Sequence, residues 1–306
     1  MSISSSTIAL GERRSPLALR PGEYLELTKP KIAALELVTV AAAALIAGWV
    51  PQSPLVLMHA LLGTALVAAS ASALNQWLER DTDALMDRTA ARPLPSGRLG
   101  GGQVLWFAVL TVVVGIGYLA VATNPLTAAL GLATWLIYVW VYTPLKPRTT
   151  LNTPVGAIAG ALPVLMGWTA GGMPLDGRAV ALFWIVFLWQ FPHFMAIAWI
   201  YRRQYGAAGL KMSPVVDPSG RRAGLLAVWL AAALVPVSLL AATWGGGSGM
   251  VTMLLVAAVA VLGLGQLACA VAFRRRMDEP SARRLMRASV VYLPALLVLL
   301  LLAPLA

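Results

Sequence analysis

Long apolar runs broken by short polar connections set the pattern of this chain. Crossing a bilayer's hydrocarbon core takes about 20 predominantly apolar residues. Nine runs approach that length, at roughly 32–50, 55–78, 104–122, 126–143, 151–170, 179–201, 224–243, 250–273 and 288–305. The pattern predicts an all-α integral membrane protein, a bundle of about nine transmembrane helices. The outer connections Val50 to Pro54, Thr123 to Pro125 and Trp244 to Gly249 are short and rich in Pro or Gly. Short connections join antiparallel neighbours. Small residues (Ala41 to Ala44, Ala68 to Ala73, Gly156, Gly160) suit close helix contacts in lipid. The organisation expected is an N-terminal arm, 1–31, and a single transmembrane domain, 32–306. The arm lacks an apolar signal core with a small-residue cleavage site, so the first helix is expected to act as its own insertion signal.

Composition agrees with the pattern. Of 306 residues, 59% are hydrophobic and only 11% charged, against about 45–50% and about 25% in soluble domains. An ordinary soluble enzyme and a disordered chain are both excluded. The net charge of +11 would suggest nucleic acid in a soluble protein. Here the basic residues lie between apolar runs, and no nucleic-acid partner is expected. All but one of the 23 Lys and Arg fall in the N-terminal arm (Arg13, Arg14, Arg20, Lys29, Lys31) and in alternate connections, including an Arg-rich loop at 274–287; the exception is Arg178. Positive residues mark the cytoplasmic side. The N-terminus is therefore expected inside and the C-terminus outside, in a multi-pass protein of the cell (inner) membrane. Single Cys269 excludes an internal disulfide framework and reads as a small buried hydrophobe.

Acids are scarce, so their placement is informative. Glu79, Asp81, Asp83 and Asp87 crowd into nine residues after the second run, below Asn75. Asn75, Glu79, Asp83 and Asp87 recur every four residues, and on an unbroken helix they form one slowly drifting stripe; Asp81 points elsewhere. Like charges at that spacing repel. Such oxygen sets suit Mg²⁺, which keeps positions for phosphate oxygens. Arg80, Arg88 and Arg92 offer forked donors to phosphate or carboxylate. The connection Tyr142 to Asn152 is basic, with Lys146 and Arg148, and suits an anion beside the metal. His193 lies inside the sixth run, where polar groups are expensive and tend to be functional. His59 reads as structural. Glu36 has no obvious partner beyond Lys29 or Lys31.

These residues carry a resemblance. Asn75 through Thr89, then Arg92-Pro93-Leu94, resembles the first aspartate-rich motif of the UbiA superfamily of intramembrane prenyltransferases. Thr28-Lys29-Pro30, Tyr142 to Lys146, Gly156 through Trp168, Pro192-His193-Phe194 and Tyr205 through Val216 are similar in the same order, most closely to the branch that farnesylates haem. The resemblance implies Mg²⁺ held by Asn75, Glu79 and Asp83, with Asp81 and Asp87 nearby. It implies farnesyl diphosphate and haem B as substrates. Arg88, Lys146 and Arg202 are implied to stabilise the diphosphate, with Arg80, Arg148, Tyr142 and Tyr205 lining the site. Arg92 is implied to meet the haem propionates, and His193 to position or ligate the haem. Partners implied are the lipid bilayer and association with haem A synthase or oxidase assembly. Two departures stand out: Glu79 replaces the usual Asp, and Gln204 precedes Tyr205 where relatives often carry Asp. Asp217 is the only acid left in that loop, which weakens a second Mg²⁺ site. Prenylation of an aromatic or quinone precursor, and transport of an anionic lipid-like substrate, remain as alternatives. A transporter would show repeats with broken helices at midplane, and no convincing repeat is visible.

Overall fold

A computed structural model describes residues 21–48, 54–245 and 249–302. Arg13, Arg14 and Arg20 of the expected arm, positions 49–53 and 246–248 of two expected outer connections, and 303–306 lie outside the described residues. Helices make up the described chain, without a strand. In order they are α1 (Pro21–Leu27), α2 (Pro30–Ile46), α3 (Pro54–Leu78), α4 (Arg80–Asp83), α5 (Gly101–Ala122), α6 (Pro125–Leu136), α7 (Thr143–Leu145), α8 (Asn152–Ala170), α9 (Gly177–Ile200), α10 (Arg202–Ala207), α11 (Ser213–Val216), α12 (Arg221–Ala242), α13 (Gly249–Arg276) and α14 (Glu279–Leu302). Among the described residues eight helices are long and apolar enough to cross a membrane, α6 and α7 counting as one. The first expected span is the shorter α2, of 17 residues.

Local chemistry sets several boundaries. The Asn124 side chain accepts from Thr127 N at 2.9 Å, with Pro125 as the first residue of α6. The Asp176 carboxylate accepts from the backbone of Arg178 and Ala179, both at 3.0 Å, and starts α9. These satisfy donors that a helix start leaves orphaned. Between α6 and α7 the turn widens to π geometry over Ile137–Tyr142. Pro144 explains the change. It has no N–H to give Trp140, and its ring crowds that carbonyl in a regular helix.

One expectation needs correction. The Arg-rich connection at 274–287 is not a long loop. Helix α13 runs through Arg276, and α14 begins at Glu279, nine residues before the expected span. Arg is a good helix former. Asp278 caps α14 by accepting from Ser281 N at 2.9 Å, and Glu279 pairs with Arg283 one turn on at 2.5 Å.

Helix α9 is the hub, packed against α8, α12 and α14, while α3 and α5 pair along their lengths. Trp168, Ile185, Leu234 and Leu296 lie in the largest buried cluster. Outward faces are apolar too: Val121 is 90% exposed, as lipid-facing surfaces require. His59 ties α3 to α5 through Tyr118 Oη at 2.6 Å, consistent with a structural role.

Helices α2 and α8 approach through Gly167. A Cβ there would sit 2.1 Å from the Val40 carbonyl oxygen, so backbone must move to admit a methyl group. Gly167→Ala is expected to cost at least about 1–3 kcal/mol, seen as a lower unfolding temperature in detergent. Gly117→Ala, with nothing within 4 Å, should leave that temperature unchanged or raised. Equal behaviour of the two would refute the close packing.

Candidate active site

Three of the connections gather at one end of the bundle. Lys211 N donates to Lys146 O at 2.7 Å, and Asn152 Nδ2 to Lys211 O at 3.1 Å. Gln204 Nε2 reaches Asp87 Oδ2 at 3.4 Å. Met86 packs with Ala198, Tyr205 and Leu210, pinning the acidic segment onto α9 and α10.

The expected stripe is real as far as Asp83. Glu79 N bonds Asn75 O at 3.0 Å, and Asp83 N bonds Glu79 O at 2.7 Å, so the helical spacing survives although α3 ends at Leu78. After Asp83 the backbone breaks into turns, and Asp87 leaves the stripe for the exposed surface. The reason is local: the segment runs into Pro93, Pro95 and Gly97, the last at φ 70. Asp81 is exposed and, among the described residues, pairs only with Arg80, at 3.5 Å.

Each member of the remaining trio has a basic partner. Lys146 Nζ meets Glu79 Oε1 at 2.6 Å, Arg92 Nη1 donates to Asp83 Oδ2 at 2.6 Å, and Lys29 Nζ donates to Asn75 Oδ1 at 2.7 Å. Asn75 Nδ2 in turn donates to Thr143 Oγ1 at 3.0 Å, which donates to Tyr138 O across the π turn. The wide turn thus presents Thr143 and Lys146 to the trio, with the Lys146 ammonium over the Tyr142 ring, 4.6 Å from its centre.

Lys29 is the site residue that sequence reasoning missed. The sequence places it in the basic flank, as a partner for Glu36 and within the Thr28-Lys29-Pro30 resemblance, without a role at the site. It bonds Asn75 instead, and no ion pair to Glu36 exists among the described residues. Its backbone is left-handed, φ 51 and ψ 61, ahead of Pro30. A non-glycine residue held there signals a constraint from its surroundings. A lysine beside the helix-starting proline was the available signal.

The trio is overcompensated. Three cations face two carboxylates and an amide, which leaves a positive excess. Burial, then the charges of Arg92 and Lys146, pull the Lys29 ammonium down from 10.5 to about 7. Burial also opposes the Lys146 charge, yet Glu79 beside it wins and holds that ammonium above the ordinary lysine range. An incoming polyanion would supply the missing negative charge. Lys29 is charged below about pH 7 and loses that charge above it. Inorganic diphosphate affinity is therefore expected to weaken about tenfold between about pH 6 and pH 8.5, relative to Lys29→Arg, whose charge does not titrate there. Parallel pH curves for the two proteins in calorimetry would refute it.

Other expected residues sit apart. Arg88 stacks over Tyr201 and Tyr205, 5.2 and 6.0 Å from their centres. Arg202 lies over Trp199 and donates to Trp199 O at 2.6 Å, which caps α9 rather than joining the trio. Arg148 is exposed. His193 lies deeper in the bundle, where its Nδ1 is 2.9 Å from Ser289 Oγ. Among the described residues no three His, Cys, Asp or Glu side chains converge to hold a metal unaided. The donor set still fits Mg²⁺, which binds through one or two carboxylates and takes its other oxygens from phosphate and water.

The chain is similar to known proteins in sequence and in fold. The chain is 41% identical over 280 residues to a protein of Opitutus terrae named protoheme IX farnesyltransferase, covering 90% of this chain and 92% of that one. A protein of Rhodopirellula baltica with the same name is 41% identical over 284 residues, covering 90% and 98%. The fold is similar to digeranylgeranylglyceryl phosphate synthase, with TM-score 0.77 and 15% identity, over 94% of this chain and 99% of that one. It is also similar to a UbiA homolog from Archaeoglobus fulgidus bound to DMAPP and Mg²⁺, with TM-score 0.68 and 19% identity, over 91% and 99%. The model of the UbiA prenyltransferase family matches residues 37–302. A helical membrane bundle with a cation-rich, oxygen-lined mouth, so related, is a prenyl-transferring enzyme, and the chain belongs to the UbiA prenyltransferase family.

Proposed function

We propose that the chain transfers the farnesyl group of farnesyl diphosphate to the 2-vinyl group of haem B, giving haem O. The likeness to relatives named protoheme IX farnesyltransferase across nine-tenths of the chain carries this reading; the cation excess at the mouth supports its diphosphate half. Asn75, Glu79 and Asp83 would hold Mg²⁺, which would neutralise diphosphate charge. Lys29, Lys146 and Arg92, already gathered beside these residues, are the cations for the diphosphate oxygens in this reading.

The C1–O bond of farnesyl diphosphate breaks, and its electron pair leaves with diphosphate. Cations already in place favour that developing charge without reorganising water. The terminal vinyl carbon bonds to C1, and water adds at the inner carbon and loses a proton. Apolar walls shield the allylic cation from bulk water. Arg88, Arg202, Arg80, Arg148, Tyr142 and Tyr205 rim the entrance in this reading. Asp81 and Asp87 stay on its solvent side. The mouth faces the cytoplasm, by the positive-inside rule, in the cell membrane.

The deciding assay incubates the purified chain with haem B, farnesyl diphosphate and Mg²⁺ and looks for haem O by mass. Haem O, lost on chelation of Mg²⁺, is the expected result. Prenylated 4-hydroxybenzoate in place of haem O would overturn the acceptor assignment.

A further inference from the structure

We propose that Ser289 is a positioning residue that fixes His193 as its Nδ1–H tautomer, so that Nε2 carries the lone pair that ligates the haem iron. The proposal rests on the reading of haem B as acceptor and names the atom that would bind it.

The argument starts from one hydrogen. Ser289 is fully buried on α14. Its hydroxyl donates to Met286 O at 2.7 Å. A hydroxyl has a single proton to give, and its oxygen keeps lone pairs to accept with. His193 Nδ1, 2.9 Å from the same oxygen, must therefore be the donor. A neutral imidazole that donates from Nδ1 has its lone pair on Nε2.

The ring is also held in plane. Trp189, one turn earlier on α9, stacks on His193 with ring centres 5.3 Å apart and planes within 16°. The Trp189 indole N–H donates to the backbone oxygen of Ser289 at 2.6 Å. One residue of α14 thus anchors both aromatic rings, through its hydroxyl and through its carbonyl.

Nε2 has no hydrogen-bond partner among the described residues, and it is not one of the sealed, unpartnered atoms of the interior. A ring clamped on one side, with a lone pair open on the other inside an apolar span, has the arrangement of a metal-ligating imidazole with its outer-shell acceptor. The class of ligand is an iron porphyrin with a vacant axial position.

The test titrates ferric haem into the purified full-length protein and its variants, reading affinity and Soret position. His193→Ala is expected to lose the coordinated spectrum. Ser289→Ala keeps the backbone oxygen that holds Trp189 and removes only the hydroxyl. It is expected to weaken haem on the order of 10–100-fold and to shift the Soret band, with the KM for farnesyl diphosphate unchanged. Ser289→Cys, near in size with a weak acceptor, should fall between. A wild-type spectrum and affinity in Ser289→Ala, alongside loss in His193→Ala, would overturn the Ser289 role alone. An unchanged spectrum in His193→Ala would overturn iron ligation and this proposal with it. A wild-type protein that binds no haem would instead sink the acceptor reading.

Discussion

Asp83→Asn is expected to lower turnover on the order of 10²–10³-fold, the effect of losing one preorganised electrostatic element from an active site. The side chain is 1% exposed and keeps its shape in this variant, so the fold should survive. Its backbone oxygen still accepts from the Thr89 hydroxyl at 2.8 Å. The carboxylate sits opposite Arg92 and continues the ladder through Asn75 and Glu79. Losing its charge weakens a proposed metal ligand and the pair with Arg92 at once. The Mg²⁺ concentration for half-maximal rate should rise with the loss of kcat. A near-wild-type rate at ordinary Mg²⁺ would place the metal elsewhere.

Glu79→Ala should act on stability as well as rate. Glu79 and Lys146 are each only 12% exposed and lie 2.6 Å apart. Removing one partner of a buried pair strands the other charge, at about 3–5 kcal/mol. Here the stranded ammonium also lies near Lys29, which cannot relieve it. Denaturant unfolding in detergent should show the loss. Adding Lys146→Met removes the stranded charge, and the double variant should recover most of the stability and none of the activity. A double variant as unstable as Glu79→Ala alone would mean that Glu79 stabilises the fold by something other than Lys146. The pair is not needed for stability on this account, since an apolar replacement of both is often neutral or better.

The sequence disclosed the helical bundle because lipid leaves few options. Backbone polar groups must be satisfied within each span, so long apolar runs become helices. It misjudged the boundary at 274–287 because charge marks where a chain leaves lipid, and a helix can continue past that point. Glu79 and Asp83 were legible because acids are rare in this chain and their spacing is helical. Lys29 was not. Basic residues beside a span are ordinary, and only the left-handed turn before Pro30 brings this one against Asn75. Asp87 failed in the opposite direction: its spacing fitted a helix that the following prolines and glycine end. Ser289 gave no signal, because a buried serine acquires meaning only from the ring 96 residues away.

The wide turn over 137–142 has a consequence for how this protein can vary. A π turn holds one residue more than the helix around it. Deleting any one residue there would force a regular helix into Pro144, whose ring crowds the carbonyl one turn back. Thr143 and Lys146 would swing away from Asn75 and Glu79 together. Length in this stretch is therefore under tighter constraint than side-chain identity on its outward face, where Trp140 and Val141 are exposed. Substitutions should accumulate there freely among related chains, and insertions or deletions should not.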